Sequence, residues 1–241
     1  MEHVTNTLGQ PVGAVVENWM PPKRPARETL VGRCCRVEPL DASLHGHSLY
    51  EANCLDRDGR SWTYLAYGPF ATFNEYNAWV ASVQTSQDPL FFAIVDAPTN
   101  RAVGIASYLR IDPNSGAIEI GHLHFSPLLQ RTPAATEALY LLMDGAFQLG
   151  YRRLEWKCNA LNTASCRAAQ RLGLSFEGIF RQATVVKGRN RDTAWYSAVD
   201  REWPALRPAF ERWLDPANFH PDGTQIEALS GMTAPLLKDI I

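Results

Sequence analysis

Residues 130–137 have the types and order expected of a phosphate-binding helix start. Thr132 is a good N-cap residue, and Pro133 suits the first helical position, where no intrahelical N–H is needed. A helix N-terminus presents unpaired backbone N–H groups and the positive end of the helix dipole, and both attract phosphate. Arg131 adds a positive charge beside these donors. The segment therefore predicts a phosphate site, and its residues leave an ordinary capped helix open as the alternative.

Apolar segments on both sides of this turn would hold it in place. Residues 117–125 alternate in polarity like a strand, and residues 133–149 form an Ala- and Leu-rich helical segment before Gly150, which suits a left-handed C-cap. Two further strand-like segments, 90–95 and 102–111, come earlier and are separated by short turn clusters. Such short connections predict an antiparallel meander of three strands that ends at the turn.

The remaining segments complete a mixed sheet with helices around it. Before the meander, the patterns predict an extended arm, one strand and two helices at residues 1–29, 31–40, 42–55 and 72–86. After it, they predict a strand parallel to its predecessor, a helix, a long hairpin and a terminal helix at residues 153–158, 162–172, 175–199 and 203–214. This order predicts an α+β (mixed α/β) fold with a single domain over residues 30–203 and a C-terminal helix and tail over 204–241.

Composition and charge exclude several classes of protein. With 46% hydrophobic and 20% charged residues, the chain of 241 residues can bury a full core. Its net charge of -2 supplies no field that would attract nucleic acid or an anionic membrane, so neither is expected as a partner. The five cysteines are odd in number and lack metal-binding spacing, which favours reduced thiols, no metal and a cytoplasmic protein. No leader peptide or membrane span is expected.

Four local patterns together resemble the GNAT superfamily of N-acyltransferases, and most of all its RimJ/RimL-type branch. The first is the turn at residues 130–135, which is similar to the family's Gln/Arg-x-x-Gly-x-Gly/Ala loop. Pro133 stands where the family usually has glycine, and it removes one N–H. The resemblance implies a central, mostly antiparallel twisted sheet with flanking helices, and acetyl-CoA or another acyl-CoA as co-substrate. It implies that the pyrophosphate of this co-substrate contacts Gln130, Arg131, Thr132, Ala134, Ala135 and Thr136.

The second and third patterns flank the helix predicted at residues 162–172. Asn162 and Ser165 match the family's Asn-x-x-Ser, in which the Asn lies near the pantetheine arm and the Ser near the thioester sulfur. Taken alone, Asn162 is also a common N-cap. Residues 171–178 are similar to the family's helix-end passage and are mainly structural.

The fourth pattern is the strand 117–125, which carries Glu119, His122 and His124. In the family, a glutamate near the start of this strand faces the acceptor amine, and Glu119 matches it. Strand alternation predicts Glu119 on one face and both histidines on the other, although a bulge of the kind usual in the family would re-aim the later side chains. The residue that meets the amine therefore stays open between the three.

The resemblance implies acyl transfer from a thioester to an amine, and this chemistry assigns further roles. Glu119, His122 or His124 would remove the amine proton; outside the family context they would be a solvated strand carboxylate and two packed core histidines. Backbone N–H groups from Leu123 to Phe125 would polarise the carbonyl. Ser165 would protonate the departing thiolate, with Tyr196 as the fallback.

The predicted function is an N-acyltransferase that works by direct transfer in a ternary complex. The loop 56–70 and the hairpin 187–192 would form the acceptor pocket, and the acceptor would be a primary amine of a small molecule or of a protein N-terminus. Transfer through an acyl-cysteine is an alternative mechanism. A catalytically idle acyl-CoA-binding or partner-binding domain is the alternative function, because Pro133, Ala169 and Thr184 depart from the family patterns. A homodimer is left open.

Overall fold

The computed structural model describes residues 3–238. Its strands are β1 (His3–Thr5), β2 (Pro11–Gly13), β3 (Leu30–Val31), β4 (Cys35–Pro39), β5 (Leu90–Asp96), β6 (Arg101–Asp112), β7 (Ala117–Phe125), β8 (Arg153–Asn159), β9 (Ser175–Val186) and β10 (Arg189–Val199). Its α-helices are α1 (Ala42–Asn53), α2 (Phe73–Val83), α3 (Pro133–Gln148), α4 (Thr163–Arg171), α5 (Trp203–Leu214) and α6 (Leu229–Thr233). Short 3-10 turns lie at Arg60–Trp62, Pro216–Asn218 and Ala234–Leu236.

One eight-stranded sheet organises the molecule, in the order β3-β4-β5-β6-β7-β8-β10-β9. All neighbours are antiparallel except β7 and β8, which are parallel because α3 crosses over between them. The predicted meander β5-β6-β7 is present with antiparallel register throughout. The predicted α+β fold is therefore confirmed.

Two apolar cores lie on opposite faces of the sheet. On one face, α1 and α2 cover a cluster that includes Leu49, Val80 and Phe91. On the other face, α3 and α5 cover a larger cluster that includes Ile118, Leu154 and other residues. Strands β7, β8 and β10 form the other half of the first face, and this half carries charged side chains. The loop between α1 and α2 reaches over it.

The segment predicted as one strand over residues 31–40 is instead two strands with a tight turn. The buried carboxylate of Glu137, in α3, accepts hydrogen bonds from the backbone N–H groups of Arg33, Cys34 and Cys35 at 2.9, 2.6 and 2.9 Å. Each such bond to a charged acceptor stabilises a fold by about 1.5–3 kcal/mol. The turn is therefore stabilised by a residue about a hundred positions further along the chain. The local alternation of polar and apolar residues gives no sign of this contact.

The two ends of the chain contain more regular structure than their composition predicts. The arm holds the small hairpin β1-β2, because the Asn6 side chain accepts hydrogen bonds from the N–H groups of Leu8 and Gln10 and so closes the turn. At the other end, α6 docks through the fully buried Leu229. Within residues 3–238, no helix combines the length and apolar character needed to traverse a lipid bilayer.

Candidate active site

A bulge in β7 brings the three candidate bases onto one face of the sheet. Gly121 pairs with Ser107 and His124 with Ile105, so two residues of β7 oppose one of β6. His122 takes a left-handed conformation with a φ of 51°. The prediction from strict alternation, with the histidines opposite Glu119, is therefore wrong: the extra residue returns both histidines to the face that carries Glu119.

The strands β7 and β8 separate directly after Glu119. Their parallel pairing covers only Ala117–Glu119 against Arg153–Glu155, although both strands continue beyond it. The edge of β7 over residues 120–125 therefore has no strand partner on the β8 side. We call this opening the splay. The residues that carry the predicted oxyanion donors, Leu123 to Phe125, lie along it, and their N–H groups alternate between β6 and this opening.

Glu119 is buried between two cations at the start of the splay. Its side chain is 3% exposed and lies 2.6 Å from Nη1 of Arg110 and 3.2 Å from Nζ of Lys157. Burial raises the pKa of Glu119, and this effect outweighs the opposite influence of the two cations. Lys157 also pairs with Glu155 at 2.6 Å and lies under the ring of Trp195. Glu119 is thus part of a charged network rather than a solvated strand carboxylate.

His122 is neutral and is held by aromatic side chains. Its Nδ1 lies 3.3 Å from the hydroxyl of Tyr67, and its ring packs against Tyr67 and Phe91. Burial, together with the nearby charges of Arg110 and Arg191, lowers its pKa to about 4. Its Nε2 has no hydrogen-bond partner among the residues described. In the tautomer whose Nδ1–H donates to the hydroxyl of Tyr67, Nε2 carries the lone pair and can accept a proton at neutral pH.

His124 belongs to a hydrogen-bonded chain that sequence reasoning missed. Its Nε2 lies 2.8 Å from Oγ of Ser61, whose hydroxyl donates to Asp56 at 2.6 Å. Because the hydroxyl of Ser61 donates its proton to Asp56, it accepts in its bond with His124, and Nε2–H of His124 is the donor. Its ring stacks on Trp62 at 3.6 Å, and burial lowers its pKa to about 4. Nδ1 is sealed from solvent without a partner in the described residues, so His124 is less accessible than His122.

The loop predicted to form the acceptor pocket, residues 56–70, covers these histidines. The ammonium of Lys187, in the β9-β10 hairpin, donates to the carbonyl of Trp62 at 2.9 Å. On the other side, the hydroxyl of Tyr64 donates to the carbonyl of Leu161 at 3.1 Å. The structure therefore brings the two predicted pocket segments together. We call this loop the roof.

Ser165 lies at the N-terminus of α4 with its hydroxyl oriented by an indole. Nε1 of Trp156, on β8, donates to Oγ of Ser165 at 3.0 Å. The Asn162 side chain caps the helix by accepting from the N–H of Ser165 at 3.2 Å. Because Oγ is an acceptor for Trp156, its own proton remains available to another group. Trp156 had no recognisable signal in the sequence.

The neighbouring thiol of Cys158 and phenol of Tyr196 are poorly suited to proton or acyl transfer. Sγ of Cys158 lies 3.6 Å from Sγ of Cys166, and burial raises the pKa of Cys158 to about 12. Such a thiol is scarcely ionised at neutral pH, which disfavours an acyl-cysteine. Tyr196 is buried beside them, and desolvation raises its pKa too.

The turn before α3 has several of its predicted donors already engaged. The Thr132 hydroxyl caps the helix by accepting from the N–H of Ala135 at 3.2 Å. The side chains of Gln130 and Thr136 bond to the carbonyl of Phe125 and to the guanidinium of Arg171.

The groups that remain for a phosphate are fewer than predicted. Within residues 3–238, the backbone N–H groups of Arg131 and Ala134 have no acceptor. The Arg131 side chain is exposed beside them, and its backbone is left-handed with a φ of 62°. These groups fit an anion at the helix N-terminus.

A family model matches this chain, and known proteins that resemble it include two solved structures and one curated relative. The acetyltransferase (GNAT) domain model matches residues 39–175. The crystal structure of a GCN5-related N-acetyltransferase from Brucella melitensis is 46% identical, covers 90% of this chain and 99% of that one, and has a TM-score of 0.89. A structure from Chromobacterium violaceum ATCC 12472, described as a probable acetyltransferase of the GNAT family, is 40% identical, covers 81% and 98%, and has a TM-score of 0.76.

The third relative is an uncharacterized N-acetyltransferase, p20, of Bacillus licheniformis. It is 30% identical over 117 residues, which are 46% of this chain. The match spans 63% of the length of p20. None of the three descriptions names an acceptor amine, so the RimJ/RimL-type branch stays a prediction.

Proposed function

This chain belongs to the GNAT acetyltransferase family, and from that premise we propose that it transfers an acetyl or other short acyl group from acyl-CoA to a primary amine. Transfer takes place at the splay between β7 and β8, directly within a ternary complex. The proposal is supported by three features: a histidine of β7 that burial keeps neutral, a serine hydroxyl of α4 oriented by an indole of β8, and the edge of β7 that β8 leaves unpaired.

The chain has the groups needed to hold acyl-CoA on one side of the sheet. Arg131 and the free N–H groups of Arg131 and Ala134 bind the pyrophosphate. The splay accepts the pantetheine arm, with Asn162 and Ser165 beside it. When bound, acyl-CoA supplies the thioester that the amine attacks. The missing N–H of Pro133 leaves one donor fewer than the family's usual loop.

His122 acts as the general base on the acceptor side. An amine attacks only as the neutral species, and its proton must leave as the new bond forms. In the tautomer whose Nδ1–H donates to Tyr67, Nε2 of His122 is unprotonated at neutral pH, and it lies on the face of β7 under the roof. Glu119 keeps Arg110 and Lys157 paired beside it, and His124 is fixed by Ser61.

Two further groups act on the reacting thioester. The N–H groups along residues 123–125 donate to the carbonyl oxygen as negative charge develops there. The hydroxyl of Ser165 donates its proton to the departing sulfur and regains one from solvent, while the proton of the amine leaves with His122. Its orientation is set in advance by Trp156, so little reorganisation is needed.

The proposal is tested by measuring thiol release from acetyl-CoA with a panel of primary amines. We expect amine-dependent release with at least one acceptor, together with thermal stabilisation of the protein by CoA. The assay is repeated with acyl-CoA of different chain lengths. Thermal stabilisation by CoA without thiol release, for every amine and every acyl chain tried, would instead indicate an idle acyl-CoA-binding domain. The absence of both effects would contradict the proposal entirely.

A further inference from the structure

Arg191 is a cation without an ion-pair partner in the acceptor half of the site. Its Nε is buried and has no hydrogen-bond partner among residues 3–238. No carboxylate of these residues lies within 4 Å of its guanidinium, whereas Arg110 and Lys157 both pair with Glu119. A half-buried guanidinium without a counter-charge is costly to desolvate, so an anionic ligand there would be favourable.

Strand geometry places Arg191 across the splay from His122. Along β10, Thr193 pairs with Asn159 and Trp195 with Lys157, so alternation puts Arg191 on the same face. Its charge also reaches His122, whose pKa it helps to lower. A molecule with its nitrogen at His122 would therefore have its other end near this guanidinium.

Trp195 supplies a second unused donor on the same strand. Its Nε1 is buried and unpartnered within the described residues, while its ring lies over Lys157 at 3.8 Å. The free donor of Arg191 matches a carboxylate, which offers lone pairs only, whereas Trp195 stands four residues away along β10.

The roof limits the size of the acceptor. Lys187 and Tyr64 tie it to the β9-β10 hairpin and to the turn before α4, and Tyr67 of the roof lies 3.3 Å from Nδ1 of His122. A compact molecule fits this enclosure better than a folded protein surface.

We propose that the acceptor is a free amino acid whose carboxylate is bound by the guanidinium of Arg191. This inference rests on the proposed function, since the amine of that amino acid would be the group acylated. The carboxylate and the amine are two bonds apart on one carbon, so binding the first positions the second.

The test compares L-amino acids with their C-terminal amides in wild type, Arg191→Gln and Arg181→Gln. Arg181 is an exposed arginine of β9 and serves as the matched control. We expect the ratio of kcat/KM for acid over amide to fall about 10- to 100-fold in Arg191→Gln, and to stay unchanged in Arg181→Gln. Comparing this ratio between wild type and variant cancels the difference in amine pKa between acid and amide, because that difference is the same for every variant.

Binding of the same amino acids to the CoA-loaded protein is measured by calorimetry as an independent readout. Amino-acid binding that Arg191→Gln abolishes, without any acyl transfer, would support the carboxylate site at Arg191 and contradict the proposed function. Acyl transfer to amines, with an acid-to-amide ratio of kcat/KM that Arg191→Gln leaves unchanged, would support the proposed function and contradict the role of Arg191. If Arg191→Gln lowers kcat/KM with succinyl-CoA but not with acetyl-CoA, Arg191 binds a carboxylate of the acyl group. This result would overturn the assignment of Arg191 to the acceptor.

Discussion

The two sides of the splay are built by different kinds of contact. On the thioester side, Thr132 caps α3 from three residues away and Asn162 caps α4 in the same way. On the acceptor side, His124 bonds to Ser61 and Lys187 to Trp62 across 63 and 125 residues. The comparison teaches that local capping chemistry prepares the thioester side, whereas the acceptor side depends on the assembled tertiary structure.

The largest expected effect is on the acceptor side. His122→Asn removes the proposed general base, and we expect kcat to fall about 10²- to 10³-fold, as is usual when such a group is lost. Steady-state kinetics with a saturating amine measures this change, and circular dichroism confirms folding. His124→Asn is the matched comparison, because both histidines lie on the same face. A larger loss in His124→Asn than in His122→Asn would assign the base to His124 instead.

The next effect is on the thioester side. Ser165→Ala removes the proton donor for the thiolate, so kcat should fall about 100-fold while KM for acetyl-CoA changes little. The exposed Thr163 in the same helical turn provides the control Thr163→Ala, which should behave like wild type. Unchanged kcat in Ser165→Ala would show that another group or water protonates the sulfur.

Stability should fall in acid because two histidines are buried in the neutral form. His124 has a folded pKa of about 4 against an ordinary value of 6.5, so the unfolded chain binds a proton that the folded chain does not between these pH values. Stability is therefore lost as pH falls through this window, by about 2 kcal/mol for His124 at pH 5.

Urea unfolding at pH 7 and pH 5 measures this loss. His124→Asn should lose less stability between the two pH values than wild type, and His47→Asn, at an exposed position of α1, should lose as much as wild type. An identical pH dependence in wild type and His124→Asn would contradict the burial of a neutral His124.

The smallest expected effect concerns the phosphate turn. Pro133→Ala restores one N–H at the start of α3 while keeping a good helix residue, so CoA should bind about two- to fivefold more tightly. Calorimetry with CoA measures the change. Weaker binding would mean that the conformation fixed by Pro133 matters more than the donor it lacks.

The difference between local and distant contacts also explains what could be predicted. The caps at Asp41, Thr132 and Asn162 are local chemistry, and the helices they begin were predictable within two residues. The left-handed conformation of His122 was not, because few non-glycine residues adopt it and the position of the bulge depends on the pairing with β6.

The partners of the candidate bases could not be predicted from the sequence, for the same reason. Ser61 and Trp62 lie in a loop of irregular pattern, and only the folded roof brings them to His124. Lys157 and Arg191 look like ordinary strand charges until the sheet places them beside Glu119 and His122. Residue types could therefore suggest the chemistry, but the geometry of the acceptor side required the structure.

A crystal structure of the protein with bound CoA tests the central claim most directly. We predict that the pyrophosphate contacts the N–H groups of Arg131 and Ala134, that the pantetheine lies in the splay, and that the sulfur is within hydrogen-bond reach of Oγ of Ser165. A CoA molecule bound elsewhere, or a sulfur that faces away from Ser165 and His122, would contradict the assignment of the splay as the site of acyl transfer.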